Sequence, residues 1–194
     1  MNSRMLRILA VAAAGVILTN CASHDSPVAP QSPVTPTASA SSSLLGLTTT
    51  TTVTPLQRTK PLAKSLSASA YIGVLGGNLA IPGAGITVVV PPLALTSTKL
   101  VTVTALAGSD VAYAFEPHGT TFLVPLVVTQ DLSNTQAQTG GLINPLSLFV
   151  GYFPDNKNIL SVTQLLNVSV DLFNQTAVFT VTHFSGYIVA SGRE

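Results

Sequence analysis

An all-β fold, an antiparallel β-sandwich, is predicted by three observations. Short runs rich in Val, Ile, Thr, Phe and Tyr recur from residue 85 to residue 190. Gly, Pro, Asn and Asp interrupt them at intervals of about 8–14 residues, the spacing of strands joined by turns. Several runs alternate between apolar and polar side chains, the period of a strand with one face in a core. No long stretch repeats with the period of a helix.

The runs can be justified in order. In 85–90, Ile86, Val88 and Val90 share a face, and Pro91-Pro92 ends the strand because proline cannot donate to a ladder. Before it, Gly76-Gly77 supplies a backbone free to adopt positive φ or to approach another strand closely. In 100–106, Val101 and Val103 point one way and Thr102 and Thr104 the other. The runs 111–115 and 122–129 flank Pro117-His118-Gly119, which predicts a hairpin; Pro125 marks an edge or a bulge. The run 146–153 follows. Residues 158–167 read as one short helix, with Ile159, Leu160, Val162, Leu165 and Leu166 roughly on one side. The runs 166–172 and 177–182 alternate about a turn at Asn174-Gln175, and 187–190 closes the domain. The expected core is Ile86, Val88, Val90, Val101, Val103, Phe122, Val127, Phe149, Val170, Phe179, Val181, Phe184 and Ile188.

The N-terminus is of another kind. Arg4 and Arg7 precede an uninterrupted apolar and small-residue run from Ile8 to Leu18, and Leu18-Thr19-Asn20-Cys21 follows. A basic start, a short greasy stretch and a processing site make a secretory signal over residues 1–20. The run is about half the roughly 20 residues that a membrane-spanning helix needs. Cys21 is the chain's one cysteine, so no intramolecular disulfide can form. The arrangement resembles a bacterial lipoprotein signal, with Asn20 where that family usually has Gly, Ala or Ser. The resemblance implies that Cys21 is lipidated and becomes the new N-terminus, and that the partner is a membrane. Ala22 implies sorting to the outer membrane in a cell that has one. Each buried acyl methylene contributes about 0.8 kcal/mol, so several chains hold firmly. The alternative is an ordinary secreted protein with an incidental cysteine.

Residues 21–69 are dominated by Ser, Thr, Pro and Ala, with Pro27, Pro30, Pro33 and Pro36 at every third position and a threonine run from Thr48 to Thr52. So little large apolar surface cannot offset an ordering cost of about 1–2 kcal/mol per residue, which predicts a disordered tether. The competing reading makes a strand of 44–53. Arg58, Lys60 and Lys64 form a small basic cluster, expected to be solvated or to touch anionic lipid.

Residues 70–194 then form one domain. Its three cations and six acids give a net charge of −3, against +1 for the whole chain. Nucleic-acid binding is excluded, since phosphate neutralisation needs clustered Lys and Arg.

Three blocks in this domain carry a second resemblance. They are Gly76-Gly77-Asn78-Leu79 through Ile81-Pro82 to Gly85–Pro91 with Pro92-Leu93-Ala94-Leu95; Phe115-Glu116-Pro117-His118-Gly119 through Phe122 to Pro125; and His183-Phe184-Ser185-Gly186-Tyr187. In this order they resemble the ZU-five domain, shared by ankyrins, zonula occludens and UNC-five netrin-receptor proteins. The resemblance spans nearly all of residues 70–194. It implies a β-sandwich that serves protein interaction and assembly, with no substrate.

The chemistry is sparse. In some ZU-five relatives a His-Phe-Ser sequence cuts itself, which here implies Ser185 as nucleophile, His183 as base and a break between Phe184 and Ser185. Such a cut needs a strained peptide at a sharp turn. The alternative is a closing strand whose Phe184 and Tyr187 pack the sandwich. His118 could pair with Glu116, but neither His118 nor His183 has partners at metal-ligand spacing, so no metal is expected. Asp155-Asn156-Lys157-Asn158 lacks the full calcium-loop pattern. No nucleotide-binding or hydrolase motif stands out, so neither a cofactor nor an enzyme is expected. The reading is a lipid-anchored cell-envelope protein with a non-catalytic domain that meets an unidentified envelope or extracellular protein. Two alternatives are an autoproteolytic module and a carbohydrate or cell-wall binder. The latter lacks tryptophan and would stack sugars on Tyr71, Tyr113, Tyr152 and Tyr187.

Overall fold

The computed structural model describes residues 50–154 and 158–193. The signal expected at residues 1–20, the expected lipidation site Cys21, the part of the expected tether up to residue 49, and Asp155, Asn156 and Lys157 lie outside the described residues.

Among the described residues fifteen strands follow in order: β1 Thr51–Pro55, β2 Gln57–Leu62, β3 Leu66–Ile72, β4 Gly77–Ile81, β5 Ile86–Val90, β6 Lys99–Ala105, β7 Gly108–Asp110, β8 Ala112–Glu116, β9 Thr121–Asp131, β10 Phe149–Phe153, β11 Ser161–Val162, β12 Gln164–Asn167, β13 Ser169–Asp171, β14 Thr176–His183 and β15 Gly186–Arg193. Every pairing is antiparallel. One sheet runs β11-β1-β15-β8-β6-β3, with β10 also on β15 and β12 on β10. The second runs β13-β14-β9-β5-β4, and β2 pairs with β7 as a ribbon. The sandwich is therefore all-β, as the alternation predicts. Among the described residues no helix is long and apolar enough to cross a membrane.

Alternation sets the core. Ile86, Val88 and Val90 of β5 face inward with Val101 and Val103 of β6, and they meet Phe115, Phe122, Phe179, Val181 and Phe184 in one apolar cluster. Burying such a side chain contributes about 1.5–3 kcal/mol. Ile188 is buried too, but on the outer face of its sheet, in a smaller cluster with Val53, Phe153 and Val162. Val127, Phe149 and Val170 are only half-buried. In β9 the inward positions are Phe122, Leu126, Val128 and Gln130, one residue out of step with Val127.

Four expectations are corrected. The sandwich begins at Thr51, not at residue 70, so 51–69 is no tether. Val53 and Leu56 are buried there, Leu66, Ala68 and Ala70 pack against the main core, and strand partners satisfy the backbone. Within that stretch Arg58 is buried, not solvated. Residues 158–167 are not helical: Ile159, Leu160 and Val162 cover the outer cluster while Leu166 packs on the main core. Their apolar residues serve two cores, so they never shared a helical face. Finally, β8 and β9 form no hairpin. β8 pairs with β6 and β15, β9 with β5 and β14, and Pro117–Gly119 carries the chain between sheets.

Other turns agree. Asp171 pairs with Thr176 across the Asn174-Gln175 turn, and the Asp171 carboxylate accepts the Phe173 and Asn174 amides at 2.9 and 3.0 Å. Those hydrogen bonds, the Asn174 ones first, hold the Asp171 pKa below the ordinary value. The β9–β14 register breaks between Val181 and His183, opposite Pro125, where an edge or bulge was expected. Gly76 has φ +75, and a side chain there would strike the Val90 carbonyl.

Candidate functional site at the sheet crossover

At one end of the sandwich two connections change sheets side by side. β8 leads through Pro117–Gly119 into β9, and β14 leads through Phe184-Ser185 into β15. Backbone bonds tie them: Phe184 N–H donates to the Thr120 carbonyl (2.8 Å), Phe115 N–H to that of Ser185 (2.9 Å) and Gly119 N–H to that of Phe184 (3.3 Å). Aromatic rings fill the corner beneath. Phe184 stacks on Phe115 at 5.8 Å and meets Phe122 edge-on at 4.6 Å, while Tyr187 meets Phe115 edge-on at 5.6 Å. The sequence packs this way because Phe115 near the end of β8, Phe122 near the start of β9 and Phe184 just after β14 all take inward positions.

His183 and Ser185 are thus brought to one corner, but each has other partners. Ser185 is buried and its Oγ donates to the Phe153 carbonyl at 3.3 Å. The half-buried His183 ring lies edge-on to Tyr152 at 4.9 Å, and its Nδ1 is 3.4 Å from the Tyr187 hydroxyl. That hydroxyl donates to the His183 carbonyl at 2.8 Å. Burial, then the neighbouring Tyr152, pushes the Tyr187 pKa above the ordinary tyrosine value, so this donor is kept. No hydrogen bond joins His183 to Ser185 among the described residues. A serine activated for attack needs its base within hydrogen-bond reach and its oxygen on the scissile carbonyl carbon. The Gly119 amide does reach the Phe184 carbonyl, as an oxyanion donor must. Among the described residues, the positive-φ non-glycine residues are Leu93 and Gln175, away from Phe184 and Ser185.

Around the corner lies a polar cavity of about 450 Å³, lined by Lys99, Pro117, His118, Thr121 and Leu123. His118 and Glu116 are both exposed. Among the described residues no three potential metal ligands cluster. Beyond the cavity the surface turns apolar. Leu75 is 90% exposed, Leu123 73% and Leu93 62%. The Leu93 N–H bonds the Val74 carbonyl and the Leu123 N–H the Ala94 carbonyl, so the loops that carry Leu75 and Leu93 adjoin the start of β9 that carries Leu123.

The tyrosine face proposed for sugars is not assembled. Tyr113 and Tyr187 are buried in the core, and Tyr71 is the strongly exposed one.

At the opposite end is a polar cluster that sequence reading missed. The Tyr113 hydroxyl lies 3.1 Å from the Ala84 carbonyl and is hydrogen-bonded to Gln130 Oε1. Gln130 Nε2 donates to the carbonyls of Asp131 (2.7 Å) and Ala84 (3.3 Å). The Arg58 guanidinium lies over the Tyr113 ring at 5.7 Å. The available signal was Gln130 itself, a polar residue at an inward position of β9. The chain matches no protein-family model and no curated protein.

Proposed function

We propose that the chain is a lipid-anchored envelope protein whose non-catalytic, ZU-five-like sandwich holds a protein partner at the crossover end. The carrying observation is the opposition of two features. In β15, Gly186 lies at the crossover and Arg193 at the far end, where it pairs with Val53. The chain upstream of Thr51 therefore joins the sandwich away from Leu75, Leu93 and Leu123. A tether from lipidated Cys21 would attach at the end opposite those leucines, and exposed apolar patches mark interaction surfaces.

Two experiments test this. Mass spectrometry of membrane-extracted protein should find an acylated N-terminal Cys21; an unmodified N-terminus on either side of it defeats the anchor. Photo-crosslinkers at Leu75 and Leu123 in intact cells should capture one common protein that a crosslinker at exposed Ser67 does not. Equal capture from all three positions, or none, defeats the docking end.

For the His183-Phe184-Ser185 segment, the hydrogen bonds favour an uncut chain. Intact mass should show one species, with no fragment beginning at Ser185. Were the bond cut, β15 would stay in place, because β8, β10 and β1 all pair with it. Only denaturing mass measurement can therefore decide.

A further inference from the structure

Arg58 is 7% exposed, and among the described residues one of its three guanidinium nitrogens is hydrogen-bonded. Nη1 donates to the Asp110 carbonyl. Among the described residues, Nε and Nη2 are buried with no hydrogen-bond partner. These two N–H groups form one edge of the fork, the geometry that grips two oxygens of a single carboxylate or phosphate. Arginine cannot shed its charge to escape burial. The guanidinium carbon lies 5.7 Å from the centre of the Tyr113 ring, which offers its π-face to the cation.

A solvent-connected cavity of about 480 Å³ adjoins this side chain. Arg58, Lys60, Gly83, Gln130, Asp131 and Asn134 contribute to its wall. Arg58 and Lys60 outnumber the one carboxylate there, and Asp131 Oδ1 is already engaged by the Ser133 N–H at 2.8 Å. The β2 strap that carries Arg58 and Lys60 is loosely paired: between Gln57 and Leu62 the β2–β7 register breaks. Lys60 itself is exposed on that strap.

We propose that this cavity binds an oxyanion, the phosphate or carboxylate group of a small molecule or lipid headgroup, on Nε and Nη2 of Arg58, with Lys60 at its mouth. Arg58 is buried in the free protein, so binding opens the packing around its fork. The site is independent of the leucine tip at the crossover and of the lipid anchor.

The chain has four arginines, so the Arg58 Nε–H resonance can be followed in the full-length protein. Inorganic phosphate or acetate, compared with chloride at equal ionic strength, should shift that resonance to saturation and raise Tm. Lys60→Ala, on an exposed residue, should keep the chloride Tm and weaken the midpoint several-fold. Arg58→Lys should abolish the Tm rise, since an ammonium cannot present the fork. Vesicles of phosphatidylglycerol shifting the resonance where free phosphate does not would assign the oxyanion to a headgroup; phosphatidylcholine vesicles are the control. No saturable shift with phosphate, acetate or phosphatidylglycerol overturns the site, and so does an equal shift with chloride. A Lys60→Ala midpoint equal to the wild type overturns the placement at the cavity mouth.

Discussion

The two ends of this sandwich are closed by different means. At the crossover, apolar rings do the closing: Phe115, Phe122, Phe184 and Tyr187 interlock beneath two backbone connections whose amides and carbonyls bond one another. At the other end, Tyr113, Gln130 and Arg58 bring polar groups into the interior, and their burial is compensated only in part. Rings packed on rings need nothing from outside the chain. A buried hydrogen-bonded group is neutral to stability only while every partner stays in place. The first end should therefore fail through lost volume, the second through lost partners or changed protonation.

The largest effect separating the two is Phe184→Ala. It removes ring contacts at 4.6 and 5.8 Å from a residue that is 1% exposed. A cost of about 3–5 kcal/mol is expected, since the corner is fixed by two crossing connections and cannot collapse. Urea unfolding with an unchanged slope would show it. A loss below that of Gln130→Leu would break the comparison.

Next comes alkaline pH, which probes the polar end. Burial pushes the Tyr113 pKa up to about 12, against the opposing pull of Arg58 and Gln130. A raised folded pKa means that the fold prefers the neutral phenol. This contribution is complete below about pH 10 and is lost as pH rises from about 10 to 12. At 1.36 kcal/mol per unit it amounts to about 3 kcal/mol. The Tyr187 shift has the same sign, so wild-type loss combines both ends. Tyr113→Phe should flatten the polar end's part of the decline and leave that of Tyr187. Chemical denaturation at a series of pH values measures it.

Gly186→Ala tests the crossover by overfilling. A Cβ there would land within the Phe153 ring, which is itself fully buried. About 1–3 kcal/mol is expected to be lost. Gln130→Leu, at the other end, should cost a similar 1–3 kcal/mol, because the Tyr113 hydroxyl loses an acceptor while the Ala84 and Asp131 carbonyls lose a donor.

What the sequence discloses follows the same division. Strands β5, β6 and β14 were legible because large apolar residues recur at every second position, in β6 with Thr between the valines, and the burial pattern repeats the alternation. β1 to β3 were not. Their inward residues are few or small, Leu66, Ala68 and Ala70 among serines, and composition alone reads as a tether. Pro125 masked the parity of β9, so Val127 was placed inside in place of Leu126 and Val128. The Pro117–Gly119 turn is local and says nothing of which sheet the next strand joins. For the site, His183 and Ser185 were visible as letters, but their partners Tyr187, Tyr152 and Phe153 come from pairing of β15 with β10. Arg58 was visible as charge, and its burial depends on strands about 50 residues further on.

The smallest effect lies outside both ends, on the outer face of the β3–β6 pair. Ser67 Oγ meets Thr104 Oγ1 at 2.9 Å and Ser69 Oγ meets Thr102 Oγ1 at 2.8 Å, on residues opposite in register. These hydroxyls resemble those of Tyr113 and Gln130 in chemistry and differ in being wet. Water replaces a lost partner at little cost, so Ser69→Ala should lose about 0.2–1 kcal/mol, toward the low end. β3 is also the last strand of its sheet, where polar side chains discourage pairing with another copy. Ser67→Val with Ser69→Val should therefore cost little stability yet promote association, read by light scattering at rising concentration. A Ser69→Ala loss as large as that of Gln130→Leu would mean that hydrogen bonding itself, not its burial, makes the polar end fragile.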